Sequence, residues 1–195
     1  WCMARFGYRA LSIPGLVENA WTILTAKHRE PTPQYPLELA INYNIYKPPR
    51  DKAWRGAWRV TDALIAETAD EVAKHHALFL AVTLDTGIQV WPDPSVRENF
   101  MRWQKISDIF YPDEQIKKLG ERKGFDVLTL APALQKYAQE HQVYLHGFKN
   151  TPMGFGHWNV EGHRLAGKLI AARLCAMIER GKSGSWVRKS ASLAN

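Results

Sequence analysis

Residues 77–84 read Ala-Leu-Phe-Leu-Ala-Val-Thr-Leu, a nearly continuous apolar run that ends at Asp85. A short run of this kind, without polar alternation, is typical of a strand buried on both faces of a parallel sheet. The preceding segment has apolar residues at helical spacing, which predicts a helix over about residues 52–75 with Asp51 as its N-cap. A helix followed by a buried strand favours an α/β domain.

The remaining pattern extends this alternation of helices and strands. We expect a half-buried strand over residues 37–45, helices from near Ser95, over 113–123 and over 132–141, a strand over 126–130, a short extended piece over 143–145, and a closing helix from Val160 to about Arg180. Asn159 suits the N-cap of the closing helix, and Gly181 is expected to stop it. Few strands beside several helices make a narrow sheet, which indicates part of a larger α/β fold.

Composition and charge bound the class of protein. The chain has 195 residues, of which 46% are hydrophobic, and this suits one globular domain with a sizeable core. No apolar run approaches the ~18 residues of a membrane span, and no signal peptide is visible. The chain begins with Trp1, from which we expect the natural start to be missing. The compartment stays unknown, since Cys2 and Cys175 form no disulfide framework.

The formal net charge of +7 raises the question of an acidic partner. The excess is dispersed, and part of it lies near the C-terminus at Lys182, Arg188 and Lys189. The sequence contains no zinc-finger spacing, RNA-binding aromatic motif or sustained basic helix face. A solvated basic surface is therefore favoured over nucleic-acid binding.

A glycine-rich loop over residues 147–156 leads directly into His157 and the closing helix. Such a loop can present an imidazole whose ordinary pKa suits general-base chemistry near neutral pH. From spacing alone, a loop histidine packed beside Trp158 is favoured over a base. His146, His157 and His163 contain no compact pair of metal ligands, so no metal is predicted, and His163 is interpreted as a helix-packing residue.

Residues 156–163 read Gly-His-Trp-Asn-Val-Glu-Gly-His, a fairly specific pattern. Supporting segments occur at Trp54-Arg55, over 78–84, over 125–132 (Phe-Asp-Val-Leu-Thr-Leu-Ala-Pro) and over 145–148 (Leu-His-Gly-Phe). Together, over roughly residues 45–180, they resemble the C-terminal half of bacterial SGNH/GDSL-type hydrolases. The resemblance implies a flavodoxin-like three-layer α/β/α sandwich and makes His157 the catalytic base, with no cofactor.

The chain departs from that family at the other catalytic positions. The Gly-Asp-Ser motif, the oxyanion-hole glycine and the Gly-x-Asn block are unmatched. None of the serines follows a recognisable buried strand: Ser12, Ser95, Ser107, Ser183, Ser185, Ser190 and Ser192. Gly154 and Phe155 stand where many members carry the acidic residue. Asp85 can orient an imidazole from the end of its strand, although an aspartate that begins or caps a loop is favoured there.

These observations predict a partial three-layer α/β/α sandwich with a parallel sheet, whose N-terminal strands are missing. The expected organisation is an irregular or helical segment over residues 1–45, an SGNH hydrolase-like domain over 46–181 and a polar basic tail over 182–195. The expected activity is hydrolysis of a small-molecule or carbohydrate acyl ester by a serine nucleophile and His157, in an enzyme of which this chain is a truncated part without the serine block. The alternative is a catalytically inactive binding or interaction module. An incomplete sheet would expose an apolar edge, from which we expect self-association.

Overall fold

The computed structural model describes residues 42–182, excluding the side chains of the last two. It contains a 3-10 helix and seven further elements: the 3-10 helix Tyr43–Tyr46, α1 Lys52–Lys74, β1 Leu80–Thr83, α2 Pro94–Gln104, α3 Tyr111–Lys123, β2 Asp126–Thr129, α4 Ala131–His141 and α5 Val160–Lys182. Most of the strand expected over residues 37–45, most of the segment 1–45 and nearly all of the tail 182–195 lie outside the described residues. The mixed α/β class is confirmed.

The sheet of the described region has two parallel strands. Their register pairs Leu80 with Asp126 and continues to Thr83 with Thr129. All four residues of β1 are only half-buried, so the expectation of a strand buried on both faces is wrong. The two faces of a parallel strand are buried by helices that pack on the sheet, and its edges by neighbouring strands; within residues 42–182 β1 pairs with β2 alone.

Local capping fixes the helix ends that the sequence predicts. The Asp51 carboxylate accepts a hydrogen bond from the Trp54 amide at 2.8 Å and begins α1 as expected. Gly124 ends α3 in the left-handed conformation, at φ 80°. The expected stop at Gly181 is wrong, because α5 continues to Lys182.

Tyr43–Tyr46 forms a 3-10 helix, so the strand predicted over residues 37–45 is wrong for its described end. The Asn42 side chain accepts a hydrogen bond from the Asn44 amide at 3.1 Å, which favours a turn. Tyr46 is buried, and its hydroxyl lies 2.6 Å from the Thr86 hydroxyl. The burial of Tyr46 and the cap by Asn42 favour the 3-10 helix more strongly than the alternation of apolar residues favours a strand.

Two groups of buried side chains hold the segment that follows β1. One joins Val90 to residues of α4 and α5, including Leu134 and Ala166. The other joins Ile88 to Tyr46 and to residues of α2 and the loop after it. The segment is thereby fixed from both sides, which gives the carboxyl end of β1 a defined backbone. This end of a parallel strand is where open α/β sheets bind ligands.

Candidate functional site

The Asp85 side chain lies at the carboxyl end of β1 and is completely buried. One carboxylate oxygen lies 2.8 Å from Nε2 of His146, and the other accepts a hydrogen bond from Nε1 of Trp158 at 2.8 Å. Both carboxylate oxygens are therefore satisfied by side chains distant in sequence. We refer to Asp85, His146 and Trp158 as the Asp85 cluster.

The surroundings of His146 determine its protonation. Nδ1 lies 2.7 Å from the carbonyl oxygen of Gly156, which can only accept, so Nδ1 donates to it. We infer that the Asp85 carboxylate is ionised and accepts from Nε2 as well as from Trp158. Both ring nitrogens of His146 thus carry hydrogen. The cluster is a buried pair of imidazolium and carboxylate, which is stable only while both partners are present.

Backbone hydrogen bonds then close the loop over residues 147–157. The Gly147 amide donates to the His157 carbonyl at 3.0 Å, and the Gly154 amide donates to the His146 carbonyl at 3.0 Å. His146 and Trp158 form an isolated antiparallel bridge, where the sequence predicts a short extended piece over 143–145 instead. Gly154 has φ 88°, and a Cβ there would overlap the indole of Trp91. The loop has little freedom to move.

The start of α5 is fixed by Asn159, as the sequence predicts. Its side-chain oxygen accepts hydrogen bonds from the amides of Glu161 and Gly162, both at 3.0 Å. Its side-chain amide donates to the carbonyl of Tyr144 at 2.7 Å. Gly162 packs closely against the Leu145 carbonyl, so that a Cβ at this position would overlap it. The helix start and the loop therefore form one packed unit.

His157 lies between the two fixed neighbours Gly156 and Trp158, and its own side chain is exposed. Its imidazole makes no hydrogen bond or ion pair with any residue in the described range. The indole of Trp158 packs edge-on against His163 at 5.5 Å, as expected of a helix-packing residue. The structure does not bring Asp85 and His157 together: Asp85 does bind an imidazole, but it is that of His146.

The other polar residues considered for the site make no hydrogen bond to His157 within residues 42–182. Glu161 accepts a hydrogen bond from the Tyr137 hydroxyl at 2.6 Å and from Nε of Arg164 at 2.7 Å. The bonds from Arg164, and then from Tyr137, lower the pKa of Glu161 to about 2. Ser95 lies in the first turn of α2 and Ser107 is exposed; within residues 42–182 neither hydrogen-bonds His157.

A cavity of about 310 Å³ lies beside the same strand end. Leu84 and Thr86 line it, while the carboxylate of the intervening Asp85 points to His146 and Trp158. The other lining residues come from the 3-10 helix, α1, β1, α3 and the loop after β1: Ile45, Tyr46, Trp54, Ala57, Trp58, Thr61, Thr83, Gln89, Pro112, Asp113 and Ile116. We call this cavity the Asp113 pocket.

Sequence reasoning missed His146 as the partner of Asp85 and missed Asp113 altogether as a site residue. Asp85 and His146 are 61 positions apart, so no local spacing relates them. Asp113 was expected only as the start of a helix. The one available signal was the place of Asp85 after a buried strand, which allowed an imidazole partner, although the sequence favoured an aspartate that begins or caps a loop.

Comparisons with protein-family models, curated proteins and solved structures returned no match in any of the three. Within the described part of the chain, no group of His, Cys, Asp or Glu side chains is arranged to hold a metal ion. No helix in that part has both the length and the apolar character that crossing a membrane requires.

Proposed function

We propose that this chain belongs to a carboxylic ester hydrolase of the SGNH/GDSL type and that His157 is its general base. The observation that carries the proposal is an exposed imidazole, without a hydrogen-bond partner among residues 42–182, on a loop whose flanking residues are both held by side chains. The full fold would then be the three-layer α/β/α sandwich of that family. The two parallel strands with helices around them are compatible with a part of it.

The chemistry requires a base that takes a proton from a serine hydroxyl as the hydroxyl attacks the ester carbonyl. A neutral imidazole does this near pH 7, provided that it is held within hydrogen-bond reach of the nucleophile. Here the Asp85 cluster acts on His157 through the backbone. His146 holds the carbonyl of Gly156, and Asp85 holds the indole of Trp158. A fixed backbone reduces the entropy lost when the base meets its substrate.

An esterase assay with an active-site label tests the proposal. The protein is incubated with a short-chain aryl ester and with a fluorophosphonate probe, beside His157→Ala and His163→Ala variants. We expect turnover and serine labelling to fall about 10²–10⁴-fold in His157→Ala and to be retained in His163→Ala. His163 is the matched control because it is also an exposed histidine near the start of α5. Absence of turnover and labelling in the parent protein would refute ester hydrolysis by this chain.

A second candidate function is a binding module without catalysis. Two observations favour it: no serine within residues 42–182 hydrogen-bonds His157, and the Asp113 pocket opens at the ligand-binding end of the sheet. Under this alternative, the same assay gives no labelling, and the protein retains a saturable ligand site.

A further inference from the structure

The Asp113 pocket has the size and position of a small-molecule site. Its volume of about 310 Å³ corresponds to roughly ten water molecules at ~30 Å³ each. Its walls come from the first half of α1, the start of α3 and the carboxyl end of β1. Most of the lining is apolar or aromatic, with a few polar groups, as in known small-molecule sites.

The Asp113 carboxylate is the principal polar group in this lining, and its residue is only 3% exposed. The Thr83 hydroxyl donates to one oxygen at 2.5 Å, and the Gln89 amide donates to the other at 2.8 Å. Within residues 42–182, no Lys, Arg or His nitrogen lies within 4.0 Å of this carboxylate. Asp113 therefore has hydrogen-bond donors, its own backbone included, but within the described residues it has no cationic partner of the kind that buried carboxylates ordinarily have.

Aromatic side chains form much of the wall around this unpaired charge. Trp54 and Trp58 line it from α1, and Tyr46 lines it from the 3-10 helix. The Nε1 of Trp58 is buried without a hydrogen-bond partner among the described residues, which indicates a wall whose polar groups are not all satisfied. Aromatic faces attract cations, and the attraction grows when water is excluded.

We propose that the Asp113 pocket binds a small organic ammonium ion with an apolar body of about ten non-hydrogen atoms or fewer. The ammonium group donates to the free lone pairs of the Asp113 carboxylate and supplies the missing positive charge. The apolar body lies against Trp54, Trp58 and Leu84. The proposal does not rest on ester hydrolysis, since the pocket lining includes neither His157 nor the side chains of His146 and Trp158.

Isothermal titration at pH 7 with three probes of equal length tests this ligand class. The probes are n-hexylammonium, n-hexanol and hexanoate, which differ only in the charge and donors of the end group. We expect saturable binding of n-hexylammonium, at least tenfold weaker binding of n-hexanol and none of hexanoate. The indole N–H resonances of Trp54 and Trp58 are expected to shift during the n-hexylammonium titration.

Three variants locate the binding. Asp113→Asn retains the shape of the side chain and is expected to weaken n-hexylammonium at least tenfold, to the level of n-hexanol. Ala57→Phe fills the pocket from α1 without altering Asp113 and is expected to abolish binding of both. Asp93→Asn, which neutralises an exposed carboxylate that caps α2, is the control and should bind like the parent protein.

The proposal is overturned if n-hexanol binds as tightly as n-hexylammonium, if Asp113→Asn binds n-hexylammonium unchanged, or if no probe binds saturably. A protein without esterase activity that still binds n-hexylammonium through Asp113 would refute the hydrolase and leave this inference standing. An active esterase that binds none of the probes would do the reverse.

Discussion

Two buried carboxylates lie at the carboxyl end of β1, and their surroundings differ. Within the Asp85 cluster, the His146 imidazolium compensates the charge of Asp85, and Trp158 donates a hydrogen bond to the second carboxylate oxygen. Asp113 lines a pocket, and the side chains that donate to its two oxygens within residues 42–182 are the neutral ones of Thr83 and Gln89. A cationic side chain thus compensates the charge of Asp85, whereas Asp113 has no cationic partner within residues 42–182.

This difference shows that burial alone does not assign a role to a carboxylate. Burial raises the pKa of Asp113, and the charge of Asp85 adds to the effect, while the bonds from Thr83 and Gln89 oppose it. Asp85 contributes to folding through its partners, and we infer that Asp113 serves a ligand. We expect substitution by asparagine to lower the free energy of unfolding at position 85 and to raise it at position 113.

Asp85→Asn breaks the ion pair with His146 and should have the largest effect on the free energy of unfolding. The substitution removes the counter-charge that stabilises the His146 imidazolium, and breaking a buried pair in this way costs about 3–5 kcal/mol. We expect urea denaturation at pH 7 to give a free energy of unfolding lower by that amount. Asp93→Asn is the matched control and should unfold like the parent protein, because asparagine is an equally good N-cap. A loss below about 1 kcal/mol in Asp85→Asn would argue against a charged pair.

Gly162→Ala tests the packing that joins α5 to the Asp85 cluster. Alanine normally stabilises a helix interior relative to glycine by ~1 kcal/mol. At position 162, however, the new Cβ overlaps the Leu145 carbonyl and crowds Trp158, so we expect a net loss of about 1–3 kcal/mol. Gly167→Ala is the control within the same helix, where a Cβ meets nothing within 4 Å, and it should gain stability. Equal gains at both positions would mean that the helix start is loosely packed.

Asp113→Asn removes a buried carboxylate that has no cationic partner within residues 42–182. We expect the free energy of unfolding at pH 7 to rise by on the order of 1 kcal/mol. Because the folded-state pKa of Asp113 is raised, its contribution to stability is fully present below the unfolded pKa and is lost as pH rises through the folded value. The advantage of the variant should therefore shrink as pH falls towards 4 and grow towards neutrality. Urea unfolding at several pH values measures this. An advantage that is greatest in acid would contradict an unpaired carboxylate.

The sequence predicts what is locally encoded and misses what the tertiary structure brings together. Asp51 and Asn159 were predictable as caps, because a cap depends on residues two or three positions away. β1 was predictable from its apolar run, although not its half-burial, which depends on the elements that pack around it in the tertiary structure. The 3-10 helix at Tyr43–Tyr46 was not, since it depends on the burial of Tyr46 beside Thr86.

The candidate site was less predictable than the fold. The position of His157 at the start of α5 could be predicted, because the loop and the helix are adjacent in sequence. Its catalytic role remains a prediction. The pairing of Asp85 with His146 joins residues 61 positions apart, and the charge on Asp113 lacks a partner only because no cationic side chain of the described region folds towards it. Neither fact is visible in a local pattern.

The protonation state of His146 is the most direct test of the buried ion pair between His146 and Asp85. Long-range ¹H–¹⁵N correlation spectra at pH 7 report whether each ring nitrogen carries hydrogen. We predict hydrogen on both ring nitrogens of His146 in the parent protein. In Asp85→Asn we predict that one of them loses its hydrogen, because the carboxylate that stabilises the imidazolium is then gone. A neutral His146 ring in the parent protein, with one bare nitrogen, would contradict the buried ion pair and with it the proposed support of the His157 loop.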